Sequence, residues 1–179
     1  DPFELLVATI LSAQCTDVKV NEVVPALFKR YPDAASLAKA RQADVETLIH
    51  ATGFFRNKAR SLLGCAEALI TRHKGKVPDT MEAMTALPGV GRKTANVVLS
   101  TCFGLPGIIV DTHVRRISQR LGLTQKDDPE LIETDLQALL PKSAWTDFSH
   151  RLVWLGRRVC IARKPRCDQC RLLSDCPTG

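Results

Sequence analysis

The sequence has no uninterrupted apolar run that approaches the roughly 20 residues a membrane span requires. Its opening, Asp1-Pro2-Phe3-Glu4, has no basic leader followed by an apolar stretch. With both absences the chain is expected to be soluble, cytoplasmic and not secreted. There is no initiating Met, and a preceding N-terminal segment is expected. Internal repeats and low-complexity tracts are also missing, which excludes solenoids and linkers. Strand signals are nearly absent. What remains is a run of helix signals in 179 residues of which 45% are hydrophobic, enough to bury a core. Twenty-five Lys and Arg against 19 Asp and Glu leave a formal charge of +6, which favours a polyanionic partner without identifying one.

The expected fold class is all-α. Asp1 can cap, Pro2 suits a first helical position, and Phe3, Leu6, Val7, Ile10 and Leu11 repeat at helical spacing, predicting a helix over 2–13. A second helix starts at Thr16-Asp17 and runs towards Arg30 with a kink at Pro25. Tyr31-Pro32-Asp33 breaks it before a short helical stretch. Further helices are expected over about 43–51, stopped by Gly53, and from Arg56 to His73, closed by Gly75. Pro78-Asp79-Thr80 introduces the next, and later starts fall at Asp111, Asp128-Pro129 and Ser143. Gly104-Leu105-Pro106-Gly107 is the candidate boundary, dividing the chain into 1–104 and 105–179.

The segment from Leu87 to Val98, Leu-Pro-Gly-Val-Gly-Arg-Lys-Thr-Ala-Asn-Val-Val, lies between two helices and has the form of a helix-hairpin-helix spanning about 80–103. Glycines in such a turn allow a tight bend and close approach of another molecule, while the N–H groups opening the next helix can hold a phosphate without reading base identity. Gly89, Val90, Gly91 and Arg92 are therefore candidate contacts to a nucleic-acid backbone. Taken alone, Pro-Gly-Val-Gly could be a plain interhelical turn. Lys93 sits in the first turn of the second helix, where the positive end of the dipole and the adjacent Arg92 disfavour a further ammonium charge. That is the condition for an amine that attacks carbon. Its bland alternative is a simple phosphate-binding cation. Downstream, the apolar run Ile108-Ile109-Val110 ends in Asp111, an N-cap whose carboxylate could also face a developing cation. His113 is read as structural.

Seven cysteines fall into two populations. Cys15, Cys65 and Cys102 lie in apolar helical stretches and are expected to be buried small hydrophobes in a reducing compartment. Cys160, Cys167, Cys170 and Cys176 lie within seventeen residues, separated by six, two and five residues. This predicts a four-thiolate metal site. Zinc sites usually show two close pairs, from which a single Cys-x2-Cys with wider flanks departs. Nothing favours disulfides. Arg163, Lys164 and Arg166 within this loop would be displayed to a nucleic-acid backbone.

Leu87–Val98, Val110–Val114 and the four-Cys tail together resemble the endonuclease III family of DNA glycosylases. Leu11-Ser12-Ala13-Gln14, Asn57-Lys58-Ala59 and Cys160–Cys167 resemble that family's segments in the same order. The resemblance implies a six-helix domain carrying the hairpin and a second helical domain holding a 4Fe-4S cluster on the four cysteines, completed by the preceding N-terminal segment, with the lesion bound in a cleft between the domains. It implies Lys93 as catalytic nucleophile and Asp111 as its carboxylate partner. The activity implied is excision of oxidised pyrimidines from duplex DNA followed by β-elimination at the abasic site. Gln14 and Gly53-Phe54-Phe55 resemble elements that fill the gap left by a flipped base, although Phe54 and Phe55 could equally pack a core. A monomer acting in the nucleoid of a bacterium is expected. Thr85 departs from the pattern, standing where an acidic residue is usual. Two rivals are weaker. An adenine-specific glycosylase would lack a lysine at position 93 and carry a further C-terminal domain, and a non-catalytic hairpin module would leave the Lys93 and Asp111 combination without a purpose.

Overall fold

A computed structural model describes residues 1–179 and contains helices and turns without a strand. It divides into two compact units, Asp1–Phe103 and Gly104–Gly179.

Seven helices build the first unit: α1 (Pro2–Leu11), α2 (Asp17–Arg30), α3 (Ala34–Ala38), α4 (Gln42–Ile49), α5 (Phe55–His73), α6 (Met81–Thr85) and α7 (Arg92–Phe103). Their boundaries follow side chains that satisfy the unpaired N–H groups of a first turn. Asp1 Oδ1 accepts from Phe3 N–H at 2.7 Å, Thr16 caps α2, and Asp33 exchanges bonds with Ser36 as a capping box on α3. The helix expected over 2–13 stops at Leu11. Ser12 closes it and Gln14 takes a left-handed conformation at φ 50°. α2 continues through Pro25 to Arg30. The 19-residue α5, about 28 Å long, buries Leu62, Cys65, Ala66 and Leu69. It ends where Lys74 and Gly75 turn left-handed and Gly75 N–H reaches back to the Leu69 carbonyl at 2.9 Å.

The second unit holds α8 (Thr112–Arg120), α9 (Pro129–Leu139) and α10 (Trp145–Arg158). Asp128 caps α9 with Pro129 at its first position. A 3-10 turn over Lys142–Ala144 occupies the start expected at Ser143, so α10 begins at Trp145. The extended Gly107–Ile109 stretch lies along α10: Gly107 N–H donates to Thr146 Oγ1 at 3.2 Å and Ile109 N–H to Ser149 Oγ at 3.0 Å. This lets Ile108 sink completely into a core with Val114, Ile117, Ile132 and Leu136. Beyond α10 the chain has only two 3-10 turns, Cys167–Gln169 and Leu173–Asp175.

Candidate active site and cysteine loop

The hairpin between α6 and α7 is set by Gly89. Its φ of 77° is left-handed, and a Cβ there would lie 2.6 Å from Ser61 Cβ on α5, so only glycine fits both the turn and the packing. A Cβ on Gly91 would meet nothing within 4 Å. That side of the turn is open. Val90 points the other way, 6% exposed in the core, and its N–H donates to the Leu87 carbonyl at 3.1 Å. Neither its side chain nor its N–H is free at the outer side of the turn. Arg92 is half-buried at the start of α7. Lys93 follows it, exposed and without a hydrogen bond or ion pair on its ammonium group. Thr85 is exposed on α6 and spends its hydroxyl on the Met81 carbonyl at 2.9 Å.

In the second unit Asp111 Oδ1 accepts from the N–H groups of His113 and Val114, both at 2.8 Å, fixing a half-buried carboxylate at the N-terminus of α8. His113 Nδ1 lies 3.2 Å from Arg116 Nη2. Because a guanidinium can only donate, that nitrogen accepts. The same Arg116 nitrogen reaches the carbonyls of Gly156 at 3.3 Å and Cys160 at 2.9 Å.

The two sequence candidates for filling a base gap, Gln14 and Phe54, are both exposed on loops of the first unit and both left-handed, at φ 50° and 47°. For a residue with a Cβ this conformation costs about 1–2 kcal/mol. Phe54 is 64% exposed, which removes core packing as its explanation. Phe55 behaves differently: half-buried, it packs against the His50 ring with centroids 4.4 Å apart.

All four clustered cysteines are free thiols, and together they line one cavity of about 230 Å³ with Ile117, Leu155, Pro165 and Leu173 among its apolar walls. Arg120, at the end of α8, grips the loop: Nη1 donates to Cys160 Sγ at 3.2 Å and the Ile161 carbonyl at 3.0 Å, and Nη2 to the Ala162 carbonyl at 2.8 Å. Hydrogen bonds from Thr178, joined by the Arg120 charge, hold the Cys176 thiol below its usual range, favouring the thiolate that binds metal. Arg163, Lys164 and Arg166 are exposed on the same loop. Of the scattered cysteines only Cys65 is fully buried, and burial pushes its thiol up to about 12. Cys15 and Cys102 are half-buried, against expectation, because each lies near a helix end where the core gives way to solvent.

Residues 7–142 match the family model of the HhH-GPD superfamily of base excision DNA repair proteins. Endonuclease III of Synechocystis is 56% identical over 99% of this chain and 82% of its own length. The chain belongs to the endonuclease III family. The Bacillus subtilis endonuclease III is 44% identical, with 82% of its length covered. The structure of a trapped endonuclease III–DNA covalent intermediate superimposes with a TM-score of 0.95 at 43% identity, covering 99% of this chain and 84% of that one. As an endonuclease III homologue the protein is a base excision repair enzyme, a DNA glycosylase with abasic-site lyase activity. No helix is long and apolar enough to cross a membrane.

Two features of these sites escape sequence reasoning: Lys58, a buried cation, and the grip of Arg116 and Arg120 on the cysteine loop. Each depends on carbonyls remote in sequence or hidden within a turn, which no spacing rule announces.

Proposed function

We propose that Lys93 is the nucleophile of this glycosylase and lyase, that Asp111 is its carboxylate partner, and that oxidised pyrimidines in duplex DNA are the substrate. The observation carrying this reading is the free, exposed Lys93 amine, one residue beyond the half-buried Arg92 in the opening turn of the hairpin's second helix. The relative trapped as a covalent intermediate with DNA supports a covalent route.

Neutral Lys93 Nζ attacks C1′ of an extruded nucleotide, the N-glycosidic bond breaks, and the base departs with its electron pair to be protonated. Asp111 stabilises positive charge on the sugar and assists proton transfer. The sugar ring opens to a protonated imine between Nζ and C1′. Loss of a C2′ proton then expels the 3′ phosphate by cleavage of the C3′–O bond. Gly89, Gly91 and Arg92 hold the backbone through the hairpin, with Val90 shaping it from the core side. Arg163, Lys164 and Arg166 add phosphate contacts, and Gln14 and Phe54 fill the vacated stack. The enzyme acts as a monomer.

Cys160, Cys167, Cys170 and Cys176 would hold a 4Fe-4S cluster, which the shared cavity and its apolar walls suit. When bound, the cluster supplies structural cross-links that order the loop. The residues' part is to present Arg163, Lys164 and Arg166 from that ordered loop.

Borohydride added during turnover on a lesion-containing duplex is expected to trap a protein–DNA adduct, with Lys93→Gln abolishing both the adduct and strand cleavage while duplex binding persists. A trappable adduct in Lys93→Gln would assign the imine to another amine. A wild-type product left as an uncut abasic strand would remove the lyase step.

A further inference from the structure

Lys58 is costly where it stands. It lies in the first turn of α5, where the helix dipole disfavours positive charge, and only 6% of it is exposed. Burial pulls its ammonium below the ordinary range. An apolar side chain of the same length would fill the space without that penalty. What the lysine side chain adds is one bond to the backbone, beside the main-chain bond that any residue but proline makes here. Its Nζ donates to the Thr52 carbonyl at 2.8 Å, and its own N–H donates to the Phe54 carbonyl at 3.1 Å. Gly53 and Phe54, consecutive left-handed residues at φ 66° and 47°, are held between those two bonds. The far anchor is itself fixed, because Thr52 is buried and its hydroxyl donates to the Ile49 carbonyl at 2.8 Å. The Phe54 side chain adds no restraint of its own: its ring is exposed and it caps α5 without a side-chain hydrogen bond.

We infer that Lys58 is a positioning residue for stack opening: by clamping the backbone on both sides of Phe54 it presents the ring, ready-formed, to the gap left by the extruded nucleotide. This rests on the reading of Phe54 as a gap-filling residue. A strained conformation persists only where its surroundings over-determine it, and here the buried Lys58 donor joins the main-chain bonds of Gly53 and Lys58 in doing so. Removing the donor lets the turn relax, so each attempt at opening must first re-form it. Chemistry at a sugar that is already unstacked has no such requirement.

The measurement is the ratio of two single-turnover rates: base excision from a fully paired duplex carrying an oxidised pyrimidine, and strand cleavage at an abasic site in a single-stranded oligonucleotide. Lys58→Met, which keeps the stem and loses the donor, is expected to lower the ratio by about tenfold, whereas Lys58→Arg, which keeps a donor, lowers it by less than about threefold. Phe54→Ala should lower the ratio about as much, and adding Lys58→Met to it should lower the ratio no further, since both act through one ring. An unmoved ratio in Lys58→Met, losses that multiply in the double variant, or equal loss on both substrates in Lys58→Met and Lys58→Arg alike would each overturn the proposal and leave Lys58 as packing. Phe54→Ala separates the two readings. If it lowers the ratio while Lys58→Met does not, only the clamp fails; if Phe54→Ala leaves the ratio unmoved, the gap-filling reading fails and takes the clamp with it.

Discussion

The first unit gathers 25 buried residues from all of its larger helices into one cluster, whereas the second gathers six and then runs on through a tail of two short turns. The difference is one of what does the holding. Each fully buried leucine in the first unit contributes about 1.5–3 kcal/mol by leaving water. The tail after Arg158 has no such resource: its cysteines are half-buried and its leucines, Leu172 and Leu173, are exposed. Arginine donors on backbone carbonyls take the place of a core there, joined by the cluster proposed for the four cysteines. A region fastened in this way depends on a handful of groups, each of them indispensable, while a region fastened by burial spreads the load.

Cys170→Ala should break the comparison most severely. Because binding to such a loop is coupled to its folding, we expect loss of the broad visible absorption and of close to four irons per chain, together with rapid proteolysis confined to residues beyond α10. Zinc in place of iron and sulfide in the wild-type protein would refute the cluster. Leu62→Ala, in the heart of the first unit, should cost about 3–5 kcal/mol in urea unfolding while leaving the visible spectrum of the native protein intact. Arg120→Ala should cost less in global stability, about 1–3 kcal/mol, but raise amide exchange in residues 160–163 before anything else. Asp111→Asn sharpens the contrast between holding and chemistry. Asparagine caps helices about as well as aspartate, so melting should shift by less than about 0.5 kcal/mol, yet base release should be strongly impaired for want of the carboxylate charge. Phe54→Gly is expected to carry no cost in stability: it relieves a left-handed conformation and should leave stability unchanged or raise it by a few tenths of a kcal/mol, up to about 1 kcal/mol.

The two units also differ in how much of them could be read from the amino acids. Side chains that act locally announced themselves: Asp1, Asp33, Asp111 and Asp128 open helices, and glycines at 53, 75 and 89 mark turns. The end of α1 did not, since the Ser12-Ala13-Gln14 turn has no glycine to mark it and Gln14 adopts a left-handed backbone regardless. Pro25 does not end α2, which continues through it to Arg30. At the candidate site the types and spacing of Lys93, Asp111 and the four cysteines suffice to nominate them. The inward turn of Val90 and the outward turn of Phe54 were hidden, because a short apolar residue beside glycines and an aromatic after one look alike in a sequence whichever way they face. Lys58 is the extreme case. Its meaning resides in two carbonyls that exist as acceptors only once the turn has formed.

One detail of the first unit's core bears on durability. With its thiol pushed up to about 12, Cys65 is ionised in roughly one molecule in 100,000 at neutral pH, and the thiolate is the form that peroxides and electrophiles attack. The one cysteine buried in the largest hydrophobic cluster is therefore poorly reactive towards peroxides and electrophiles. In a cell under such stress, chemical ageing of this protein should begin at its half-exposed thiols and reach Cys65 last.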